Sequence, residues 1–236
     1  MNYAVITAGG MGTRSGYIVP KQFLTVNDIP IIIYTLQNIT RLTCIEKVVV
    51  VVPDGWQGFM QSYAKQFNIE KLIDVAIGGT TRIESVFNGL KALQQKGIAD
   101  NDIDCLIGFY DGNRPLIPES VTLEAISAAR KYGAAVALEP CYDTMLECKG
   151  NLFIDAVKDR SILYRGQCPE FVQLSILNEL MELVQKQDFA DMPLYALLLQ
   201  LGKKVSFVKG SSKGFKITTA EDVELFKAMI RQNLHN

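Results

Sequence analysis

The chain has 236 residues, 48% of them apolar and 21% charged, with a formal net charge of -1 and a pI near 5.9. That is the size of one α/β domain, 1–236, and the charge balance of a protein with no general pull towards polyanions, so nucleic acid is excluded as an expected partner. No apolar run approaches the ~20 residues of a membrane span; a cytoplasmic protein without a membrane partner is expected.

Cysteines 44, 105, 141, 148 and 168 form no C-x-x-C pair, and the single histidine, His235, is penultimate. A disulfide framework, a zinc site and a histidine base are therefore not expected. Carboxylates, lysines, arginines, hydroxyls and backbone are left to carry any chemistry.

In chain order, short β-branched runs alternate with segments of helical period: "YAVITA", "IPIIIYTLQNI", "KVVVVV", "WQGFMQSYAKQF", "VAIGG", "RIESVFNGLKALQQ", "DCLIGFYD", "PESVTLEAISAARKYG" and "AAVALEP". The alternation predicts βαβ units winding a mostly parallel sheet, a Rossmann-like α/β fold. Val48 to Val52 is apolar throughout, as a strand covered on both faces requires. From 141 to 168 the rhythm breaks, and a turn at Lys149-Gly150-Asn151 predicts a protruding β-hairpin arm. A hairpin alone is marginal, so the arm is expected to pack on another subunit as a homodimer contact. Helices near 173–187 and 192–201, a strand at "KVSFVK" and a helix from Glu221 close the chain. Thr219 and Asp222 suit a capping box before that last helix.

The stretch "AVITAGGMGTRSGYIVPKQF" follows the first strand. The P-loop template fails for want of Gly-Lys-Ser/Thr. The dinucleotide template G-x-G-x-x-G begins at Gly10 and Gly12 but meets Ser15 where its third glycine belongs, and no acidic residue ends the second strand. A glycine pair after a strand can be a simple tight turn. With Pro20 fixing the backbone before Lys21, and Arg14 at the other end, the alternative is an open loop whose N–H groups wrap a triphosphate.

Six segments, "AGGMGTRSGYIVPKQFL", "GGTTRIESVFNGL", "DGNRP", "DTML", "DRSILYRGQCPEF" and "FKITTAEDV", occur in the order and spacing of a known family. The chain resembles the CTP-dependent cytidylyltransferases that make CDP-methylerythritol or CDP-ribitol, nucleotidyltransferases of glycosyltransferase-A-like fold. The resemblance implies CTP and a phosphorylated polyol or sugar as substrates, with Mg2+ as cofactor. It implies Arg14, Lys21 and Lys216 as catalytic residues. Ala8, Gly9, Gly10, Gly12, Thr13, Gly79, Arg82, Ser85, Asp111 and Arg114 would contact the nucleotide, with Asp111 also a metal ligand. Thr144, Arg160 and Cys168 would bind the acceptor.

Departures from the family pattern cluster on the acceptor side: Tyr110 replaces a histidine, Asn113 a small residue, and Leu146, Cys168 and Glu170 stand at altered positions. Gly9-Gly10 and "LYRGQ" resemble the ribitol enzymes, which makes ribitol 5-phosphate the favoured acceptor and methylerythritol 4-phosphate the alternative. An inactive nucleotide-binding module is the competing class, against which the four charges Arg14, Lys21, Asp111 and Lys216 argue. A nicotinamide-dependent oxidoreductase is disfavoured by the missing glycine and ribose acid.

Overall fold

The computed structural model describes residues 1–10, 19–97, 105–150, 152–184 and 192–233. In chain order these form β1 (Asn2–Thr7), a small hairpin of β2 (Thr25–Val26) and β3 (Ile29–Pro30), α1 (Ile31–Thr40), β4 (Val48–Val52), α2 (Gln57–Gln66), β5 (Leu72–Ile77) and α3 (Arg82–Gln95). Then come β6 (Leu106–Asp111), α4 (Glu119–Tyr132), β7 (Ala134–Pro140), β8 (Met145–Glu147), β9 (Ala156–Lys158), β10 (Tyr164–Gln173), α5 (Leu174–Val184), α6 (Leu194–Gln200), β11 (Ser206–Lys209) and α7 (Ala220–Asn233).

Seven strands share one sheet in the order β11-β7-β10-β6-β1-β4-β5. All neighbours are parallel except β10, which runs antiparallel to both β6 and β7. The mostly parallel α/β architecture is thus as the alternation predicts. Side chains alternate across β1: Ala4 and Ile6 pack with α1 and α4 residues such as Ile33, Leu36 and Ala125. Tyr3 and Val5 face the opposite layer with Phe87, Leu90, Leu177 and Leu197 from α3, α5 and α6. A third cluster, Val26, Ile31, Ile217, Val223 and Phe226, seats α7 beside the β2–β3 hairpin.

Two sequence readings change. The hairpin β2–β3 was hidden within the segment before α1; Asn27 and Asp28, at φ 49° and 62°, make its turn, the positive-φ pair that a two-residue hairpin favours. The arm ends earlier than its expected limit of 168. β8 and β9 pair at the arm's tip, but Tyr164 onward joins the main sheet as β10. Of the expected turn, Asn151 lies outside the described residues; beyond it the Asp155 N–H donates to the Glu147 carbonyl at 2.8 Å. The last helix is capped as expected: the Thr219 N–H donates to Asp222 at 2.9 Å and the Asp222 N–H to Thr219 Oγ1 at 3.4 Å. Among the described residues no helix is long and apolar enough to cross a membrane.

Candidate active site

The chain visits β4 and β5 on one side of β1, then crosses to β6 on the other. That reversal opens a crevice at the carboxyl ends of β1 and β6, where open α/β sheets hold ligands. Register brings Thr7 level with Asp111 and Val51, so the loops after β1, β5 and β6 converge. Gly112 N–H donates to the Thr7 carbonyl at 2.9 Å. A Cβ on Gly112 would come within 2.9 Å of the Ala8 Cβ, and one on Gly78 within 3.2 Å of the Ser85 Oγ. Small residues are what let these segments approach.

Asp111 is the centre of charge. Buried to 5% exposure, it accepts from Arg82 Nη1 at 2.8 Å on Oδ1 and from Arg114 Nε at 2.9 Å on Oδ2, with Lys216 Nζ 3.2 Å from Oδ2. Burial would raise its proton affinity, but Arg82, Lys216 and Arg114 together outweigh burial and hold the carboxyl well below the usual carboxylate range. Three cations on one carboxylate leave a surplus of positive charge facing the crevice, which an anionic ligand can take up.

Each cation is aimed by local structure. Arg82 opens α3, whose N-terminus is fixed by a capping box between Thr81 and Glu84; the helix is capped and Arg82 is engaged at the same time. Arg114 donates onward to the Gly214 carbonyl at 2.7 Å. Asn113 exchanges bonds with Ile217 in both directions, its backbone carbonyl accepting from the Ile217 N–H at 3.0 Å and its side-chain amide donating to the Ile217 carbonyl. Gln167 clasps Ser211, accepting from its N–H and donating to its carbonyl, each at 3.0 Å. The loop bearing Lys216 is therefore tied at Ser211, Gly214 and Ile217.

Of the residues singled out in the sequence, Arg82, Asp111, Arg114 and Lys216 meet directly. Ala8, Gly9 and Gly10 leave β1 beside the Gly79 turn, which Ser85 braces: its hydroxyl accepts from Gly79 N–H and donates to the Thr81 carbonyl, both at 3.0 Å. Lys21 begins a 3-10 turn, Lys21–Phe23. Gly12, Thr13 and Arg14 lie outside the described residues. Thr144 and Arg160 are exposed on the arm, where Arg160 donates to the Tyr142 carbonyl.

Cys168 differs from the expectation of an acceptor contact. It is 3% exposed and its Sγ accepts from the Asp111 N–H at 3.5 Å; burial pushes the thiol up to about 12, so it packs beneath Asp111 as a neutral group. Tyr110 likewise points into the core, edge-on to Phe171 with centroids 6.1 Å apart and 3.3 Å from the Thr122 hydroxyl.

Sequence reasoning missed Gln22, whose amide reaches the Ala8 and Gly10 carbonyls. It also left Glu170 without a role. Glu170 is buried, lies 3.9 Å from Arg82 Nη2 and accepts from the Tyr195 N–H at 2.9 Å. The position of Gln22, a polar residue between a proline-fixed lysine and an aromatic, was the available signal.

The chain is similar to known proteins in sequence and in fold. A profile of the IspD family, 2-C-methyl-D-erythritol 4-phosphate cytidylyltransferase, matches residues 2–232. Ribitol-5-phosphate cytidylyltransferase of Lacticaseibacillus paracasei is 33% identical over 97% of each chain. The 2-C-methyl-D-erythritol 4-phosphate cytidylyltransferase of Syntrophus aciditrophicus is 30% identical over 97% of this chain and 95% of its own. Among solved structures, 4-diphosphocytidyl-2C-methyl-D-erythritol synthase from Anaerococcus prevotii superposes with a TM-score of 0.81 at 24% identity, covering 98% of both chains. The 2-C-methyl-D-erythritol 4-phosphate cytidylyltransferase from Thermus thermophilus gives 0.76 at 24% identity, over 98% of this chain and 100% of its own.

Proposed function

Because the chain belongs to the 2-C-methyl-D-erythritol 4-phosphate cytidylyltransferase family, we propose that it transfers CMP from CTP to a polyol phosphate, ribitol 5-phosphate being favoured, with release of pyrophosphate. The observation that carries this reading is the gathering of Arg82, Arg114 and Lys216 on Asp111 at the switch point of the sheet. A phosphate oxygen attacking the α-phosphorus is already an anion and needs no base; what the reaction needs is alignment and neutralisation of charge. Lys216, beside Asp111, and Lys21, from the other end of the chain, would supply it, together with Arg14. Removal of one such preorganised donor is worth ~3 kcal/mol or more of transition-state stabilisation.

Asp111, already shared by Arg82, Arg114 and Lys216, would hold a magnesium ion only together with the triphosphate, whose negative charge offsets the three cations. Asp111 Oδ1 accepts one bond, from Arg82, and a carboxylate oxygen has room for a second. Among the described residues no three His, Cys, Asp or Glu side chains converge, so nucleotide phosphates and water would complete the shell, as magnesium prefers. The ion would neutralise charge on the triphosphate.

The acceptor assignment is supported by the ribitol-type "LYRGQ" at Leu163 to Gln167, in which Gln167 is built into the loop that carries Lys216, and by the likeness to the Lacticaseibacillus enzyme. Methylerythritol 4-phosphate is the second reading, favoured by the family profile. On the arm, Thr144 and Arg160 would grip the acceptor's phosphate, completed by a second copy of the chain. Pyrophosphate release from CTP and magnesium, measured with each acceptor, decides between them. We expect turnover with ribitol 5-phosphate and its loss in Lys21→Ala; turnover with methylerythritol 4-phosphate alone would reverse the assignment, and CTP binding without turnover on any polyol phosphate would point to a binding module.

A further inference from the structure

Gln22 is 3% exposed and lies between Lys21 and Phe23 in a turn whose entry Pro20 fixes at φ -56° and ψ 131°. Its Nε2 donates to the carbonyls of Ala8 and Gly10, which matches the two N–H groups of a primary amide to two acceptors. Phe23 stacks on Trp56 with centroids 4.3 Å apart and planes 22° from parallel, so the turn is held from both sides.

We propose that Gln22 is a positioning residue for the nucleotide's phosphates: it draws the Ala8 and Gly10 carbonyls inward, and so keeps their oxygens away from the phosphates while turning the Gly9 N–H outward. The inference rests on the reading of the glycine loop as the holder of the CTP triphosphate. In a trans peptide the C=O and the following N–H point in opposite directions. A carbonyl bound from the protein side therefore leaves its partner N–H facing away, and Gly9 N–H shares its peptide with the Ala8 carbonyl. Reversed, the same unit would present a negative oxygen to an anion; held this way it contributes to an anion-binding concavity. The tie also joins both ends of the loop, so that Lys21 and the Ala8–Gly10 backbone are placed by one side chain.

The arrangement makes donor character the decisive property of residue 22. Gln22→Glu keeps the shape and replaces both donors with acceptors facing two carbonyls. Gln22→Met keeps the length and removes hydrogen bonding altogether. The test is calorimetric titration of the full-length wild type and both variants with CTP and with CMP, which lacks the two outer phosphates. Thermal unfolding and the emission of Trp56, the single tryptophan of the chain, report on the fold and on the aromatic stack.

The expected result is CTP affinity weakened about tenfold or more in both variants, the equivalent of a hydrogen bond to a charged group, with CMP affinity changed less than about threefold and Trp56 emission kept. CTP affinity unchanged in a folded variant would overturn the inference, as would equal losses for CTP and CMP, which mark a structural role. Should Gln22→Glu not fold, Gln22→Met carries the same comparison. Failure of the wild type itself to bind CTP would overturn the reading of the loop, and the inference with it, and is seen separately in the wild-type titration.

Discussion

Asp111 and Glu170 are both buried and both face Arg82, yet their proton affinities move in opposite directions. At Asp111 burial is outweighed by Arg82, Lys216 and Arg114, and the carboxylate stays charged. At Glu170 burial prevails over Arg82 and the Tyr195 N–H, and pushes the carboxyl up to about 7. Its folded value lies above the ordinary 4.5, so folding takes up a proton between these values; the stability this gives is fully present below pH 4.5 and is lost as pH rises through about 7. Gln at this position removes the linkage. Denaturant unfolding should show Glu170→Gln gaining on wild type between about pH 4 and pH 8, by on the order of 3 kcal/mol; parallel pH profiles for the two proteins would show that Glu170 stays charged. Arg82, Arg114 and Lys216 were legible through the resemblance of "GGTTRIESV", "DGNRP" and "FKITT" to a known family; Asp111 alone also carried a local signal, its place at the end of a strand. Gln22, Asn113 and Glu170 were not legible, because an amide or a lone buried carboxylate takes its role from a tertiary partner far along the chain.

The helix α3 shows how an element aims a side chain. Its capping box fixes where it starts, and Gly89 fixes how closely it lies on the sheet: a Cβ there would fall 2.3 Å from Val5 Cγ1 and 2.8 Å from Val51 Cγ2. Alanine would add about 1 kcal/mol of helix propensity, but the overlap requires α3 or two central strands to move, at about 1–3 kcal/mol or more. Gly89→Ala is therefore expected to lower the midpoint of thermal unfolding and, by displacing Arg82 from Asp111, to raise the KM for CTP. A variant as stable as wild type would show that the helix can shift freely. The parallel strands were readable because burial on both faces writes an unbroken apolar run, as in Val48–Val52. β10 was not, since "YRGQCPEFVQ" mixes glycine, proline and charge; its buried polar residues, Gln167 and Glu170, are satisfied by Ser211 and Tyr195 rather than by solvent.

At the scale of the whole molecule the arm stands out by what it leaves uncovered. Tyr142 is 63% exposed, Leu152 101%, Ile154 62%, Val157 69% and Ile162 73%, an apolar concentration that marks an interaction surface. A second copy of the chain is the partner proposed. Sedimentation should find a dimer for the wild type and a monomer for Val157→Glu with Leu152→Asp; because neither residue touches the Asp111 cluster, CTP binding is expected to survive while transfer to the acceptor falls. A monomeric wild type, or a dimer indifferent to both changes, would sink the assignment. The arm is shorter than the sequence suggests because its return strand enters the seven-stranded sheet at Tyr164.

The place of β10 has a consequence for the order of assembly. It fills the gap between β6 and β7, both of which precede it in the chain, so during synthesis two central edges wait for a strand that has yet to emerge. Until then the Asp111 N–H lacks Cys168, Arg82 lacks Glu170, and the loop of Lys216 has not been made. Parallel neighbours far apart in sequence already form slowly, and a late insertion between them leaves unpaired strand edges open to misassembly. Pulse-labelled exchange during refolding should accordingly protect β1 and β4 before β10, and nucleotide binding should appear only with the last of these, as a sign that the chain has closed on itself.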